Sequence, residues 1–274
     1  MPMQEICTLL DPVSALVRSV RPLMDDRSAD RSITVKGKND FVTAADFAVQ
    51  RALERGLRDL CPAFAVMGEE SARHEIDPNI PTWVIDPIDG TSNFIHRCAF
   101  SAVSVGLVLG GESLLGVVFN PYLDELFTAV KGCGAACNGQ PIAVSDLDCF
   151  DTALVGIGTM PYNKDKTGDA FRLWRALFHA GNDIRRSGSA ALDVCYVAAG
   201  RLDVFAEPSL GSWDFAASSV ILREAGGTLT DWYDHCPILD GRRHSVAASN
   251  GKLHRELMNI INAADVMTAI ENNA

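Results

Sequence analysis

The chain has 274 residues, 47% of them hydrophobic and 22% charged, with a formal net charge of −11. These values describe an ordinary globular chain, long enough for one large domain or two lobes that share a core. The acid excess argues against nucleic-acid binding through a basic surface, and no apolar run reaches membrane-spanning length.

Residues 4–24 carry Ile6, Leu9, Leu10, Val13, Leu16, Val17 and Val20 at helical spacing, with Pro12 inside the pattern as a kink or a later start. A polar loop is expected over residues 25–32, followed by a glycine-bearing turn at Lys36-Gly37-Lys38-Asn39-Asp40. From Asp46, the residues Val49, Leu53, Leu57 and Leu60 predict a helix that Pro62 stops. Phe64 to Met67 reads as a strand running into Gly68-Glu69-Glu70-Ser71, and residues 72–81 as a connection.

Trp83-Val84-Ile85 is a short buried-strand signal that leads into Asp86-Pro87-Ile88-Asp89-Gly90-Thr91. Pro87 stiffens the backbone, so Asp86 and Asp89 can be aimed at one point with a main-chain carbonyl free between them. Such an all-oxygen donor set suits a hard cation such as Mg²⁺. Gly90 and Thr91 then open a helix N-terminus, whose free amides can receive a phosphate. Metal donors beside an anion seat make this a phosphate-handling stretch.

Beyond Phe94 the texture becomes β-rich. Residues 101–109, 114–119 and 125–130 predict a meander, broken at Gly110-Gly111 and Asn120-Pro121, and residues 132–141 a turn-rich crossing. A boundary is expected near residues 145–152, dividing the chain into lobes of residues 1–150 and 151–274. In the second lobe strands are expected at 154–157, 184–186, 203–205, 228–230 and 246–248. Helices are expected at 169–180, 189–199 and 213–225, with a closing one from about Lys252. That alternation is an α/β pattern.

The eight cysteines show one close spacing, Cys133 to Cys137, with no histidine nearby, a poor zinc pattern. Reduced, mostly buried thiols in a cytoplasmic protein are expected, and no basic-then-apolar leader is visible. The six histidines lack metal-ligand spacing; His96 could line a site entrance. Arg185-Arg186 reads either as interface charge or as charge at a substrate rim.

Four acidic clusters could meet in space: Asp46, Glu69-Glu70, Asp86 with Asp89, and Asp214. Each has a plainer reading alone. Asp46 and Asp214 could cap helices, and Glu69-Glu70 could be exposed loop charge. All of them fall at strand ends or helix starts, where sites in mixed folds collect.

The blocks Lys36 through Asp46, Gly68-Glu69-Glu70-Ser71, Trp83 through Phe94 and Trp213-Asp214-Phe215-Ala216-Ala217 resemble, in order and spacing, the signatures of the inositol monophosphatase family. The likeness extends to Arg185 through Ala191, Glu207 and Glu224-Ala225-Gly226-Gly227, and so spans nearly the whole chain. It implies a layered αβαβα sandwich of the inositol monophosphatase/fructose-1,6-bisphosphatase type, within the α+β and α/β classes, as a homodimer. It also implies lithium-sensitive, Mg²⁺-dependent hydrolysis of phosphate monoesters, inositol monophosphate foremost. Sugar and nucleotide phosphatases of the same family, acting on fructose-1,6-bisphosphate, 3′-phosphoadenosine nucleotides, histidinol phosphate or NADP, are the alternatives. A retained fold that acts mainly in protein or RNA-complex assembly is another.

Carried over by motif, Glu69, Asp86 and the Ile88 carbonyl would hold one Mg²⁺, and Asp86, Asp89 and Asp214 a second. A weaker third ion would lean on Glu69. Gly90 and Thr91 amides would meet the phosphate, with Lys36 nearby. Asp46 would act through the Thr91 hydroxyl on the attacking water, and Glu70 would stand behind the ligands. Ser189 and Ala190 backbone groups, Glu207 and Asp89 would contact the hydroxyls of a phosphorylated polyol or sugar.

Overall fold

The computed structural model describes residues 3–25, 32–37, 40–72, 74–161, 164 and 167–264. The side chains of Met3, Val35, Lys36, Gly37, Asp40 and Asp169 lie outside that description. So do residues 26–31 of the expected polar loop, and Lys38 and Asn39 of the expected turn.

Helix α1 (Met3–Ser19) runs through Pro12 without a break, and α2 (Arg21–Met24) follows it. An internal proline costs a helix about 3 kcal/mol. Ile6, Val13 and Val17 on α1 are fully buried, and each such side chain contributes roughly 1.5–3 kcal/mol, so packing outweighs the proline. The hairpin β1 (Ile33–Gly37) and β2 (Asp40–Thr43) leads into α3 (Ala44–Leu60).

Among the described residues the main strands form two sheets. The first has β3 (Ala65–Gly68), β4 (Thr82–Asp89), β5 (Ala102–Leu109), β6 (Glu112–Asn120), β7 (Glu125–Val130), β8 (Ala135–Cys137) and β9 (Gln140–Pro141), neighbours in chain order. Only β3 and β4 pair in parallel; the others form the expected meander. Short β8 and β9 lie within the stretch expected as a turn-rich crossing, because Ala135, Ala136 and Cys137 find a partner in β7.

The chain reaches the second sheet through a 3₁₀ turn at Phe150–Thr152. That sheet has the order β11 (Asp183–Arg185), β10 (Leu154–Ile157), β12 (Val204–Gly211), β14 (Arg243–Ser249), β13 (Thr228–Thr230). It is mixed, parallel around β10 and antiparallel around β14.

Five layers result. Helices α1 and α3 cover the outer face of the first sheet, while α6 (Ala190–Ala198) and α7 (Ser212–Glu224) fill the space between the sheets. Helices α5 (Thr167–Ala180) and α8 (His254–Ala263) cover the far face of the second sheet. Residues 215–222 of α7 are buried without interruption, as a helix covered on all sides requires. Gly106 and Gly116 stand directly opposite each other on β5 and β6 and open a flat groove for α7. A Cβ on Gly116 would lie 2.2 Å from the Ala217 carbonyl oxygen.

Candidate active site

Parallel pairing of β3 with β4 sets the first part of the site. Gly68 stands opposite Ile85, and the Glu69 amide donates to the Ile85 carbonyl at 3.0 Å, so Glu69 emerges next to Asp86. On an even strand Asp86 and Asp89 would face opposite sides, since side chains alternate with period two. The β4–β5 register removes that conflict. Asp86 pairs with Ser104 and Asp89 with Ala102, which leaves one extra residue on β4. This bulge turns both carboxylates to the same side, and it tolerates Pro87, which has no amide to give the ladder. The Ile88 amide donates to Asp86 Oδ1 at 3.0 Å. Where the sequence suggested a stiff turn, the protein has a bulged strand that continues to Asp89.

Three further helix starts point at this strand end. Helix α4 (Thr91–His96) begins at Gly90, whose φ of +87° is left-handed. A side chain at Gly90 would also meet the Gly188 carbonyl oxygen at 2.9 Å, so glycine is needed twice over. Asp46 lies in the first turn of α3, where its Oδ2 accepts from the Thr43 amide at 2.8 Å and the Thr43 hydroxyl at 2.5 Å. Its Oδ1 faces the Thr91 hydroxyl at 3.5 Å, and that hydroxyl also lies 3.2 Å from the Ile88 carbonyl oxygen. Asp214 lies in the first turn of α7, and its Oδ2 accepts from the Gly211 amide at 2.6 Å.

Asp86, Asp89 and Asp214 each offer one carboxylate oxygen, all within 4.8 Å of one another. Glu69, Asp89, Gly90, Thr91, Ser189, Ala190, Glu207 and Asp214 line one cavity of about 480 Å³, a size suited to a small molecule. Asp46 and Asp86 are buried. The side chain of Lys36 lies outside the described residues.

Burial raises the proton affinity of these acids, and their mutual repulsion adds to it. Asp86 is pushed well above the usual carboxylate range, first by burial, then by Glu69, Asp89, Asp214 and Asp46. Asp89 is raised to about 7 by burial and by Asp214, against the pull of hydrogen bonds from the Ser189 hydroxyl (2.5 Å) and the Ala191 amide (2.7 Å). The Ala190 amide turns to the same carboxylate. Asp46 is raised to about 6 by burial, with the Thr43 hydrogen bonds opposing. Glu207 is pushed well above its ordinary value by burial and by Asp214. Gathering like charges at this density favours a compensating cation. The donors are all oxygens, so the residues fit a hard divalent metal.

Two neighbours, Asp193 and Gly158, carried no signal in the sequence. Asp193, on α6, lines the cavity, is buried, and is raised to about 8 by burial; the Ser187 hydroxyl donates to it. Arg186 lines the same wall and donates to the Thr159 hydroxyl at 2.9 Å. Glu207 rests where a Cβ on Gly158 would lie 1.9 Å from its Oε2, so Gly158 makes room for it. The histidine at the cavity is His74, while His96 is exposed and outside the lining. His74 packs at a tilt against Trp213, ring centroids 4.5 Å apart, and its Nε2 donates to the Glu69 carbonyl at 2.9 Å. Glu70 lies outside the lining; its amide donates to the Gln50 side chain at 2.9 Å, and its charge raises Asp46. An asparagine, Asn93, ties the α4 side to the second half by donating to the Ser187 carbonyl at 2.8 Å.

The thiols also differ from expectation. Cys195 is buried and Cys61 and Cys137 half-buried, but Cys7, Cys98, Cys133, Cys149 and Cys236 are exposed. Most sit on short surface turns or helix ends, where apolar periodicity does not apply.

An inositol-1-monophosphatase of Synechocystis is 41% identical over 229 residues, covering 83% of this chain and 79% of the relative. The Nus factor SuhB of Escherichia coli is 41% identical over 197 residues, 72% of this chain and 74% of that protein. The solved structure of an inositol monophosphatase from Anabaena superposes with a TM-score of 0.85 at 31% identity, covering 97% of this chain and 99% of that one. Residues 6–265 match the inositol monophosphatase family. With the layered sandwich and the acidic cavity in place, these matches make the chain a member of the inositol monophosphatase family, a family of metal-dependent phosphatases.

Proposed function

We propose that the protein hydrolyses small phosphorylated polyols in a Mg²⁺-dependent reaction, with inositol monophosphate as the leading substrate. The observation that carries this reading is the meeting of Asp86, Asp89 and Asp214 within 4.8 Å, with Glu69 in the wall of the same cavity. Glu69, Asp86 and the Ile88 carbonyl would hold one ion, Asp86, Asp89 and Asp214 would hold a second, and a third would lean on Glu69. When bound, the ions neutralise phosphate charge and acidify a water ligand.

The rest falls to the chain. Gly90 and Thr91 amides, without partners in the first turn of α4, receive the phosphate oxygens. The Thr91 hydroxyl orients the attacking water, and Asp46 Oδ1, 3.5 Å from that hydroxyl, draws its hydrogen. Asp46, at about 6, is ionised near neutral pH, as an acceptor must be. Glu207 accepts hydroxyl hydrogen bonds from the polyol at the far wall, with Ser189 and Ala190 beside it. The protein works as a cytoplasmic homodimer, a state that light scattering in solution tests directly.

The deciding experiment is a phosphate-release panel with inositol 1-phosphate, fructose 1,6-bisphosphate, adenosine 3′,5′-bisphosphate, histidinol phosphate and NADP. Each is run with and without Mg²⁺, and with Li⁺ added. Release from inositol 1-phosphate that needs Mg²⁺ and slows with Li⁺ is expected. Release from none of the five, in wild type and Asp89→Asn alike, ends the enzymatic reading. A second role in complex assembly is favoured by the name Nus factor that the Escherichia coli relative carries. Rescue of a cellular phenotype by the Asp89→Asn protein would identify that role.

A further inference from the structure

Two exposed cysteines far apart in the chain meet on the surface. Cys7, in the first turns of α1, and Cys133, in the turn between β7 and β8, are 126 positions apart, yet their Sγ atoms lie 3.2 Å from each other. Among the described residues no other two sulfurs come into contact. Cys137, the cysteine nearest to Cys133 in the chain, lies on β8 opposite Phe127.

Both positions are held from behind. The Cys133 amide donates to the Val130 carbonyl at 2.9 Å. On either side of it, the Gly132 and Gly134 amides each donate to the Glu224 carboxylate at 2.8 Å, which pins the turn to the last residue of α7. On the other partner, Ile6 next to Cys7 is fully buried under α1. These anchors hold the two backbones in place while each sulfur keeps its own side-chain rotation, and an approach of about 1 Å separates contact from a bond.

We propose that Cys7 and Cys133 are a modification site, a vicinal thiol pair in space that a low-molecular-weight disulfide converts to an intramolecular disulfide. One thiolate attacks oxidised glutathione, whose S–S bond breaks and releases one glutathione thiol. The second cysteine thiolate then attacks the cysteine sulfur of the mixed disulfide, forming the Cys7–Cys133 bond and releasing the second glutathione. The two thiol protons pass to the departing glutathione sulfurs. Two cysteine thiols are oxidised and one glutathione disulfide is reduced, which balances the exchange. The product clips the N-terminal helix to the edge of the first sheet and closes a long loop, which constrains the unfolded chain most. Neither residue lines the acidic cavity.

Folded full-length protein is incubated with oxidised glutathione, alkylated, and digested without reduction. The expected product is a Cys7–Cys133 linked peptide in protein that has lost two hydrogens. The melting temperature should rise by about 5–10 °C, and dithiothreitol should reverse it. Cys7→Ser and Cys133→Ser proteins, both changed only at exposed positions, fold as the wild type does and show no rise. Glutathione retained on either residue, cross-linking between molecules in place of the internal link, or an equal rise in the serine variants overturns the proposal.

Discussion

Asp193 is a buried acid with no place in the proposed ligand set, and its burial has a measurable cost. Folding pushes its carboxyl to about 8, chiefly by burial, despite the hydrogen bond from the Ser187 hydroxyl. In the unfolded chain it titrates near 3.8. Below about pH 4 both states carry the proton, and between there and about 8 only the folded state does. The unfolded state therefore binds fewer protons across that window, and stability falls as pH rises, by about 1.4 kcal/mol per pH unit for this group. From pH 5 to pH 7 the loss is about 3 kcal/mol, on the order of 5 °C in melting temperature. In Asp193→Asn the amide oxygen still accepts from Ser187, but there is no proton to lose. Thermal melts of both proteins in EDTA, from pH 5 to pH 7, give the difference. Asp46, Asp89 and Glu207 titrate in both proteins and largely cancel. The variant should gain on wild type steadily as pH rises; parallel curves would refute the account of Asp193.

Asp86→Asn or Asp89→Asn should lower phosphate release at least about a hundredfold at fixed Mg²⁺. Melting in EDTA should hold or rise, because a repelling charge has gone. Unchanged turnover in either would discard the ligand set. Gly116→Ala places a Cβ 2.2 Å from the Ala217 carbonyl oxygen and should cost about 1–3 kcal/mol in denaturant unfolding. Gly168→Ala, which meets nothing within 4 Å, serves as the control and should be neutral or stabilising. Glu207→Gln should raise KM for inositol 1-phosphate more than it lowers kcat, and should barely alter release from an aryl phosphate that lacks hydroxyls. Equal effects on both substrates would remove Glu207 from polyol recognition.

The layers were legible because their signals are local. The meander between residues 101 and 130 announces itself by apolar runs cut at Gly110-Gly111 and Asn120-Pro121, and α3 by its helical stripe. The misread stretches depend on partners outside their own segment. Strand β8 exists because β7 lies alongside it, and α1 survives Pro12 because the sheet beneath buries Ile6, Val13 and Val17. The same limit hid Gly158 and Asp193. Asp193 follows Leu192 on a helix that is buried on nearly every side, and only the closure of α6 onto β4 makes it a cavity residue. The cysteine contact is the extreme instance, since nothing near Cys7 or Cys133 in the chain announces the other.

The plain and the functional readings of the acidic clusters exclude each other only if a carboxylate has a single use. It has two oxygens. Asp46 spends Oδ2 on the amide and hydroxyl of Thr43 and keeps Oδ1 toward Thr91. Asp214 takes the Gly211 amide on Oδ2 yet still offers an oxygen to the acidic cluster. Asp89 receives Ser189 and Ala191 on Oδ2 and belongs to the same cluster. Each helix start thus supplies the hydrogen bonds that fix a carboxylate's rotation, while the carboxylate satisfies amides that the helix leaves open. The anchoring also fixes where these repelling acids stand. Their positions are set by α3, α6, α7 and the bulge in β4, and the repulsion appears as raised proton affinity instead of dispersal. Asp86, Asp89 and Asp214 would hold a hard cation, and its charge would take the place of the protons that repulsion adds to them.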